Sequence, residues 1–268
     1  MAADPEDLRL ALALADRADA ITMAAFRRTD LVVETKADRT PVSEADREVE
    51  RAVRAALSSA HPGDRVIGEE YGDSGPTSGS TRRWIIDPID GTKNFVRRIP
   101  VWATLVALEE GGEVTIGVVS APALGRRWWA GEGLGAFAGP PGGEGAAIRV
   151  SKVRDLADAH VSGSDLRAWE ARGGPSGFLH LAAECFWDRN LGDFWSHMLV
   201  AEGACDIGLD PVVSLWDLAA LKVIVEEAGG RFTDLSGVAR PDGGSAVSSN
   251  GLLHERTLGL LSGAGGTR

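Results

Sequence analysis

Residues 84–95 read WIIDPIDGTKNF. An apolar run leads into Asp87, Pro88 stiffens the turn that follows, and Asp90 comes three residues after Asp87. Carboxylates that leave a buried strand through a rigid turn can converge on one point, where a hard cation takes oxygen ligands. This stretch therefore predicts a metal site at the end of a strand. A loop with helix-capping aspartates is the alternative, because aspartate is also common in turns.

Gly91 and Thr92 predict a phosphate contact beside this site. Their backbone N–H groups come at the start of an expected helical turn, and such groups suit an anionic oxygen. Lys93 follows, and it either attracts an anionic substrate or is a solvated loop lysine, which is the more common situation.

Two glutamates, Glu69 and Glu70, follow an expected strand over residues 65–67, and Gly68 allows close approach of the backbone. Neighbouring side chains on an extended segment point to opposite sides. We therefore expect one glutamate to face the site and the other to meet solvent. Two solvated loop glutamates would be the interpretation if this pair stood alone.

Asp46 and Asp217 each lie three residues after a serine, Ser43 and Ser214. This is the spacing of a capping box, in which the serine and the acidic residue satisfy each other's backbone N–H groups. A carboxylate in the first turn also projects from the end of its helix. Capping and a role in the site are therefore compatible.

Composition limits the classes of function. The 268 residues are 44% apolar and 25% charged, as in ordinary globular proteins, and the net charge is -11. A chain with this much negative charge is a poor partner for the phosphate backbone of nucleic acid. If its substrate is an anion, a bound divalent cation would neutralise the negative potential of the protein at the binding site. The two cysteines are too few for a disulfide framework. No signal peptide or membrane span is evident, and we expect a cytoplasmic protein.

The periodicity of apolar residues predicts alternating helices and strands. The Gly- and Pro-rich loop at 139–145 is the expected boundary between an α+β half (1–145) and an α/β half (146–268) of one compact unit. Trp128 and Trp129 are expected in the core or in a subunit contact. The expected helices are 5–28, 43–61, 194–202 and 216–228, and the expected strands include 31–33, 65–67, 83–86, 103–109, 114–119 and 206–209.

Three motifs in order, GEE at 68–70, DPIDGTKNF at 87–95 and WD at 216–217, resemble the inositol monophosphatase-like superfamily. The resemblance extends from the first helix to GGSAVSSNGLLH at 243–254. Within the superfamily, ALALADRAD, GVVSAPALGRRWWA and LVAEGACDIG look like the histidinol-phosphatases of actinobacteria.

This resemblance implies a layered αβαβα sandwich of the inositol monophosphatase and fructose bisphosphatase type, a homodimer and a Mg²⁺-dependent phosphatase. It implies one ion at Glu69, Asp87 and the Ile89 carbonyl, a second at Asp87, Asp90 and Asp217, and room for a third, weaker ion near Glu69. By the same resemblance, Glu69 and Thr92 orient the attacking water and Asp46 supports Thr92. Gly91 and Thr92 match the backbone contacts to phosphate, and no covalent phosphoenzyme is expected.

Substrate choice is expected in the second half of the chain, where Arg189, Asp193 and Asp210 match substrate contacts of the family. Histidinol phosphate carries an amine and an imidazole, for which Asp193 and Asp210 are suitable partners, although Asp193 could equally serve its own helix dipole. An inositol-1-monophosphatase, a broad-specificity sugar phosphatase and a non-enzymatic scaffold are the alternatives. His197 is expected to be a packing residue, with an approach to the site as the minor alternative.

Overall fold

The structure is a computed structural model that describes residues 2–36, 40–75 and 81–263. These residues form eight α-helices and 15 strands. The helices are α1 (Pro5–Arg27), α2 (Glu44–Ala60), α3 (Thr92–Val96), α4 (Leu166–Glu170), α5 (Ser176–Glu184), α6 (Asp193–Ala201), α7 (Leu215–Glu227) and α8 (His254–Leu261). The strands are β1 (Val33–Thr35), β2 (Pro41–Ser43), β3 (Arg65–Gly68), β4 (Gly72–Ser74), β5 (Arg82–Asp90), β6 (Ala103–Glu110), β7 (Glu113–Ala121), β8 (Arg126–Gly131), β9 (Gly135–Gly139), β10 (Ala146–Ala147), β11 (His160–Gly163), β12 (Trp187–Arg189), β13 (Ile207–Asp210), β14 (Arg231–Thr233) and β15 (Ala246–Ser249).

Two large sheets organise these strands. An eight-stranded sheet has the order β10-β9-β8-β7-β6-β5-β3-β4, and a five-stranded sheet has the order β12-β11-β13-β15-β14. In the first sheet β3 and β5 run parallel, whereas β5, β6, β7 and β8 pair antiparallel. In the second, β11 runs parallel to both β12 and β13.

The central strands of the eight-stranded sheet, β5, β6 and β7, are buried on both faces, which explains their nearly continuous apolar sequences. On β6, Leu105 and Ala107 face the core shared with α6 and α7, while Val106 and Leu108 face the core shared with α1 and α2. This alternation is the two-residue period of a strand. A third core lies between the five-stranded sheet and the pair α5 and α8.

The layers are therefore α1 and α2, the large sheet, α6 and α7, the small sheet, and finally α5 and α8. The predicted αβαβα sandwich is confirmed. The division of the chain at 145 and 146 stays a prediction, and β10, just beyond that point, pairs with β9 at the edge of the large sheet. Within the described residues, none of the helices combines the length and apolar character needed to cross a bilayer.

The expected helices agree with the structure to within one or two residues at each end, but the strand expected at 31–33 is displaced. The strand β1 begins only at Val33, because its pairing with β2 joins Val33 to Ser43 and Thr35 to Pro41. Leu31 instead packs beside the small core around Phe95. Trp128 lies in the main core, 1% exposed, as expected.

Candidate metal and phosphate site

The end of β5 delivers two aspartates to one place. The pairing between β5 and β6 is regular up to Asp87 and shifts register before Asp90, so the strand is irregular over the Asp-Pro-Ile-Asp turn. The Oδ1 atom of Asp87 accepts a hydrogen bond from the Ile89 N–H at 3.0 Å, which fixes the turn. Gly91 follows with φ 83°, a left-handed conformation that glycine adopts easily, and begins α3.

Glu69 and Glu70 lie on a turn after β3, and the expectation that one of them meets solvent is wrong. The Nζ atom of Lys36 lies 2.7 Å from Glu69 and 2.6 Å from Glu70, and only 6% of the Glu70 side chain is exposed. The chain has left β3 at Gly68, so the alternation of an extended strand no longer applies. One protein cation therefore bridges both carboxylates.

The buried side chain of Glu50 fixes the backbone of this turn by hydrogen bonds. Its carboxylate accepts hydrogen bonds from the backbone N–H groups of Glu70, at 2.7 Å, and Tyr71, at 3.2 Å. Gly68 makes room for it, because a Cβ atom there would come within 2.0 Å of the Glu50 carboxylate. The close approach predicted at Gly68 is therefore made by the Glu50 side chain of α2, which lies against the Gly68 backbone.

Asp46 forms the predicted capping box and also reaches the site. Its Oδ2 atom accepts hydrogen bonds from the Ser43 backbone N–H at 2.8 Å and the Ser43 hydroxyl at 2.6 Å. Its Oδ1 atom lies 3.3 Å from the Thr92 hydroxyl, which also donates to the Ile89 carbonyl at 2.9 Å. One carboxylate oxygen of Asp46 thus caps α2, and the other contacts Thr92 in the site.

One further carboxylate, Asp217, enters from the N-terminus of α7, and the N-terminus of α6 contacts Asp90. The Oδ2 atom of Asp217 accepts from the Ser214 N–H at 2.6 Å, which completes the second predicted capping box. The Oδ2 atom of Asp90 accepts from the Phe194 N–H, at 2.7 Å, in the first turn of α6. Helices from the second half of the chain thereby dock on the end of β5.

Asp87, Asp90 and Asp217 converge, with ligand oxygens that all lie within 4.8 Å of one another. Burial, followed by the charges of neighbouring carboxylates, raises the pKa of Asp87 and of Asp90 well above the ordinary value. Burial also raises the pKa of Asp217 to about 7. An all-oxygen, electrostatically crowded donor set fits a hard divalent cation such as Mg²⁺.

These side chains line one cavity of about 300 Å³. Glu69, Asp87, Asp90 and Asp217 form its carboxylate-rich side, Gly91 and Thr92 lie beside them, and Asp193 and Asp210 lie on the wall from the second half. The structure thus gathers all but two of the predicted site residues in the cavity lining. Asp46 contacts the cavity through Thr92, and Arg189 does not line it.

Asp193 occupies an unusual backbone conformation at this wall. Its φ is 49°, in the left-handed region, which a non-glycine residue enters at an energetic cost. Burial, and then the charge of Asp210, raise the pKa of Asp193 to about 6, while Lys93 acts in the opposite direction. Lys93 also lines the cavity, so it is part of the site's electrostatics.

Arg189 lies on β12, at the edge of the small sheet. Its guanidinium carbon sits 4.0 Å from the centre of the Trp187 ring, and its Nη1 atom donates to the Asp188 carbonyl at 2.7 Å. It lines a second cavity of about 330 Å³, which shares Ser164 with the first. The contact between Arg189 and substrate therefore stays a prediction.

Cysteine and histidine are absent from the described lining of the main cavity. Burial raises the pKa of both thiols, Cys185 and Cys205, to about 11, so neither is an effective nucleophile near neutral pH. His197, on α6, is buried behind the wall, and its Nε2 atom lies 2.9 Å from Asp210 Oδ2. His197 is therefore a buried packing residue, as expected, and it approaches the site only through its contact with Asp210.

Sequence reasoning missed Lys36, Glu50 and the contact of His197 with Asp210. Glu50 had a signal, because it shares a helix face with Val53 and Leu57 at spacings of three and seven residues, where an apolar residue is expected. His197 follows Asp193 by four residues, which places both on one face of α6. Lys36 has no such signal, since only the fold brings it to Glu69.

Comparisons with known proteins agree with this geometry. The model of the inositol monophosphatase family matches residues 4–264, so the chain belongs to this family. A histidinol-phosphatase of Mycobacterium tuberculosis is 55% identical over 256 residues, covering 96% of this chain and 98% of that protein. A histidinol-phosphatase of Streptomyces coelicolor is 54% identical over 260 residues, covering 96% and 97%.

Solved structures share the fold. An IMPase of Thermotoga maritima matches with a TM-score of 0.84 at 32% identity, covering 96% of this chain and 97% of that one. The extragenic suppressor protein SuhB of Bartonella henselae matches with a TM-score of 0.86 at 28% identity, covering 96% and 98%. The chain is a phosphoric monoester hydrolase of a family that depends on metal ions, usually Mg²⁺.

Proposed function

We propose that this chain is a Mg²⁺-dependent histidinol-phosphatase, which converts L-histidinol phosphate and water to L-histidinol and phosphate in histidine biosynthesis. The observation that carries the proposal is a second group of carboxylates beside the predicted phosphate contacts. Asp193 and Asp210 line the same cavity as Gly91 and Thr92. A phosphate held at Gly91 and Thr92 would place a cationic amine or imidazole toward Asp193 and Asp210.

In this proposal, Glu69, Asp87 and the Ile89 carbonyl would hold one Mg²⁺ ion, Asp87, Asp90 and Asp217 would hold a second, and a third would bind more weakly near Glu69. Bound Mg²⁺ supplies neutralisation of phosphate charge and a lowered pKa for a bound water. The ammonium of Lys36 supports a cation position at Glu69, because it already lies there at 2.7 Å.

Thr92 and Asp46 handle the proton of the attacking water in this proposal. The single proton of the Thr92 hydroxyl lies between two acceptors, the Ile89 carbonyl at 2.9 Å and Asp46 Oδ1 at 3.3 Å. If the Ile89 carbonyl binds a metal ion, this proton would turn to Asp46 while the hydroxyl accepts a hydrogen bond from the water. A carboxylate oxygen can only accept, so it fixes the direction of this relay. Glu69, which lines the same cavity, would orient this water together with Thr92.

Recognition of the substrate falls to Asp193 and Asp210. Each of these carboxylates favours a cationic group over a neutral sugar or inositol ring. Both would attract an ammonium or imidazolium ion in a cavity with few compensating cations. The relatives that are 54% and 55% identical are themselves named histidinol-phosphatases, which supports the same substrate.

The decisive experiment measures phosphate release from L-histidinol phosphate, inositol-1-phosphate and a neutral sugar phosphate, each with Mg²⁺ and with EDTA. We expect Mg²⁺-dependent turnover with a preference for histidinol phosphate of at least about tenfold in kcat/KM, since one good charged contact is worth about that much. A preference for inositol-1-phosphate would leave the phosphatase class intact and contradict the proposed substrate. Failure of EDTA to abolish turnover would contradict the metal site.

We also propose that the enzyme is a cytoplasmic homodimer. Family resemblance supports the dimer, and two cysteines that remain unpaired support a reducing compartment. Light scattering of the purified protein tests the dimer directly, and a mass near that of one 28.2 kDa chain would contradict it.

A further inference from the structure

The wall of the cavity has a buried second layer. His197 is fully buried, and its ring is hydrogen-bonded on both sides, to Asp210 Oδ2 at 2.9 Å and to Ser248 Oγ at 2.7 Å. Asp210 ends β13 and lines the cavity, whereas Ser248 lies on the neighbouring strand β15. Three elements, α6, β13 and β15, thus meet at one imidazole.

The direction of these hydrogen bonds follows from the chemistry of the partners. An ionised Asp210 only accepts, so the Nε2 atom of His197 carries the proton. In a neutral imidazole, Nδ1 then accepts from the Ser248 hydroxyl, and Ser248 fixes the tautomer. The chain Ser248–His197–Asp210 therefore presents a donor to one oxygen of the carboxylate.

The fold leaves space for this chain at Gly208. A Cβ atom on Gly208 would lie 2.6 Å from Ser248 Oγ and 3.3 Å from His197 Nδ1. The ring of Phe232 packs against the imidazole, with centroids 5.8 Å apart. Gly208 thus leaves the room that the imidazole and Ser248 occupy, and the Phe232 ring packs against the imidazole in the orientation that meets Asp210.

We infer that His197 is a positioning residue that sets the cation selectivity of the cavity by orienting the carboxylate of Asp210. The inference rests on the proposed function, because it concerns recognition of a cationic substrate. With Oδ2 bound to His197, the carboxylate meets the substrate through Oδ1. Asp193 lies four residues before His197 on the same helix, so α6 acts on the substrate directly through Asp193 and indirectly through His197.

The test compares His197→Leu with His197→Gln. Leucine removes both hydrogen bonds, whereas the glutamine side-chain amide restores a donor toward Asp210. We expect His197→Leu to raise KM for histidinol phosphate about tenfold, the cost of one charge-assisted hydrogen bond. Its kcat, and its KM for a neutral sugar phosphate, should stay within about twofold, because Asp210 is not a metal ligand in this scheme. His197→Gln should recover most of the loss.

His254 provides a matched control. It is also fully buried and also bonded on both sides to hydroxyls, Thr233 Oγ1 at 2.9 Å and Ser249 Oγ at 2.8 Å. Ser249 follows Ser248 on β15, so the two histidines lie on opposite faces of the small sheet. His254→Leu should cost comparable thermal stability and leave the ratio of the two KM values unchanged.

A double-mutant cycle completes the test. Asp210→Asn and His197→Leu should be strongly non-additive in KM for histidinol phosphate, because the second change removes support for a charge already lost. If His197→Leu proves insoluble, Ser248→Ala is measured in its place, with a smaller KM effect expected in the same direction. Equal losses on cationic and neutral substrates, or additivity with Asp210→Asn, would overturn the inference. A wild-type enzyme without preference for histidinol phosphate would instead overturn the proposed function.

Discussion

Asp46 has a structural role at one carboxylate oxygen, the cap of α2, and a proposed chemical role at the other, which faces Thr92. In Asp46→Asn, the amide oxygen can still accept at the Ser43 cap, but the amide NH₂ then faces Thr92 and cannot accept its proton. We expect kcat to fall about 10²-fold or more, the usual range for loss of a general base. Thermal stability should change little. Steady-state kinetics with saturating Mg²⁺ and a melting curve measure the two effects.

Ser43→Ala is the complementary change, because it removes the hydroxyl from the capping box and leaves both oxygens of Asp46 in place. It should cost about 1 kcal/mol of stability and reduce kcat far less than Asp46→Asn. If both variants lost kcat equally, the separation of roles between Oδ1 and Oδ2 would be wrong.

Asp193 offers a second prediction at this scale. Asparagine also tolerates the left-handed conformation found at φ 49°, so Asp193→Asn should fold normally. We expect KM for histidinol phosphate to rise about tenfold, and KM for a neutral sugar phosphate to rise much less. Asp188→Asn removes one negative charge from the neighbouring cavity and serves as the control. If Asp193→Asn raised KM equally for both substrates, Asp193 would not act in recognition of the cationic group.

Among the elements, α7 carries Asp217 into the space between the two sheets, so the proposed metal site depends on its placement. It approaches β7 so closely that a Cβ atom on Gly117 would lie 2.5 Å from the Ala220 carbonyl oxygen. Gly117→Ala should therefore displace α7 at a cost of about 1–3 kcal/mol. The expected result is a melting temperature lowered by roughly 2–10 °C and a raised requirement for Mg²⁺.

Gly259→Ala is the matched substitution. Gly259 lies within α8, and no atom comes within 4 Å of a Cβ atom built there. Replacing glycine with alanine in an open helical position stabilises by up to about 1 kcal/mol. Opposite signs for the two variants would show that contact with α7, and not the loss of glycine itself, decides the result at Gly117. The same sign would contradict the close packing of α7 on β7.

The elements were the part of the fold most readable from sequence. Capping boxes at Ser43 and Ser214 and the run into Asp87 are local signals, and each is confirmed. The contacts of Lys36 with Glu69 and of His197 with Asp210 are different, because strand pairing and helix docking create them. Local sequence carries no record of such pairings. The error over Glu70 has another origin, because the chain leaves β3 at Gly68 and the alternation of a strand no longer applies there.

At the scale of the whole molecule, the carboxylates of the site make stability depend on pH and on metal. Burial raises the pKa of Asp46 and of Asp193 to about 6 and that of Asp217 to about 7, from an ordinary 3.8. Without metal, the folded protein therefore holds protons that the unfolded chain has released. Stability contributed in this way is lost as the pH rises from about 4 through about 7. Burial lowers the pKa of His254 to about 4, so its contribution to stability increases with pH. This contribution comes from one group, whereas three carboxylates contribute in the other direction.

We therefore expect the protein in EDTA to melt at a higher temperature at pH 6.0 than at pH 7.5. Mg²⁺ should reverse this order, because it binds the carboxylates only after their protons have left. At a concentration about 100-fold above its Kd, a ligand of the folded state contributes about 2.7 kcal/mol, which corresponds to roughly 5–10 °C for a chain of this size. Asp217→Asn should raise the melting temperature in EDTA at pH 7.5 and shrink the response to Mg²⁺. A melting temperature at pH 7.5 that did not respond to Mg²⁺ would mean that these carboxylates do not form the metal site.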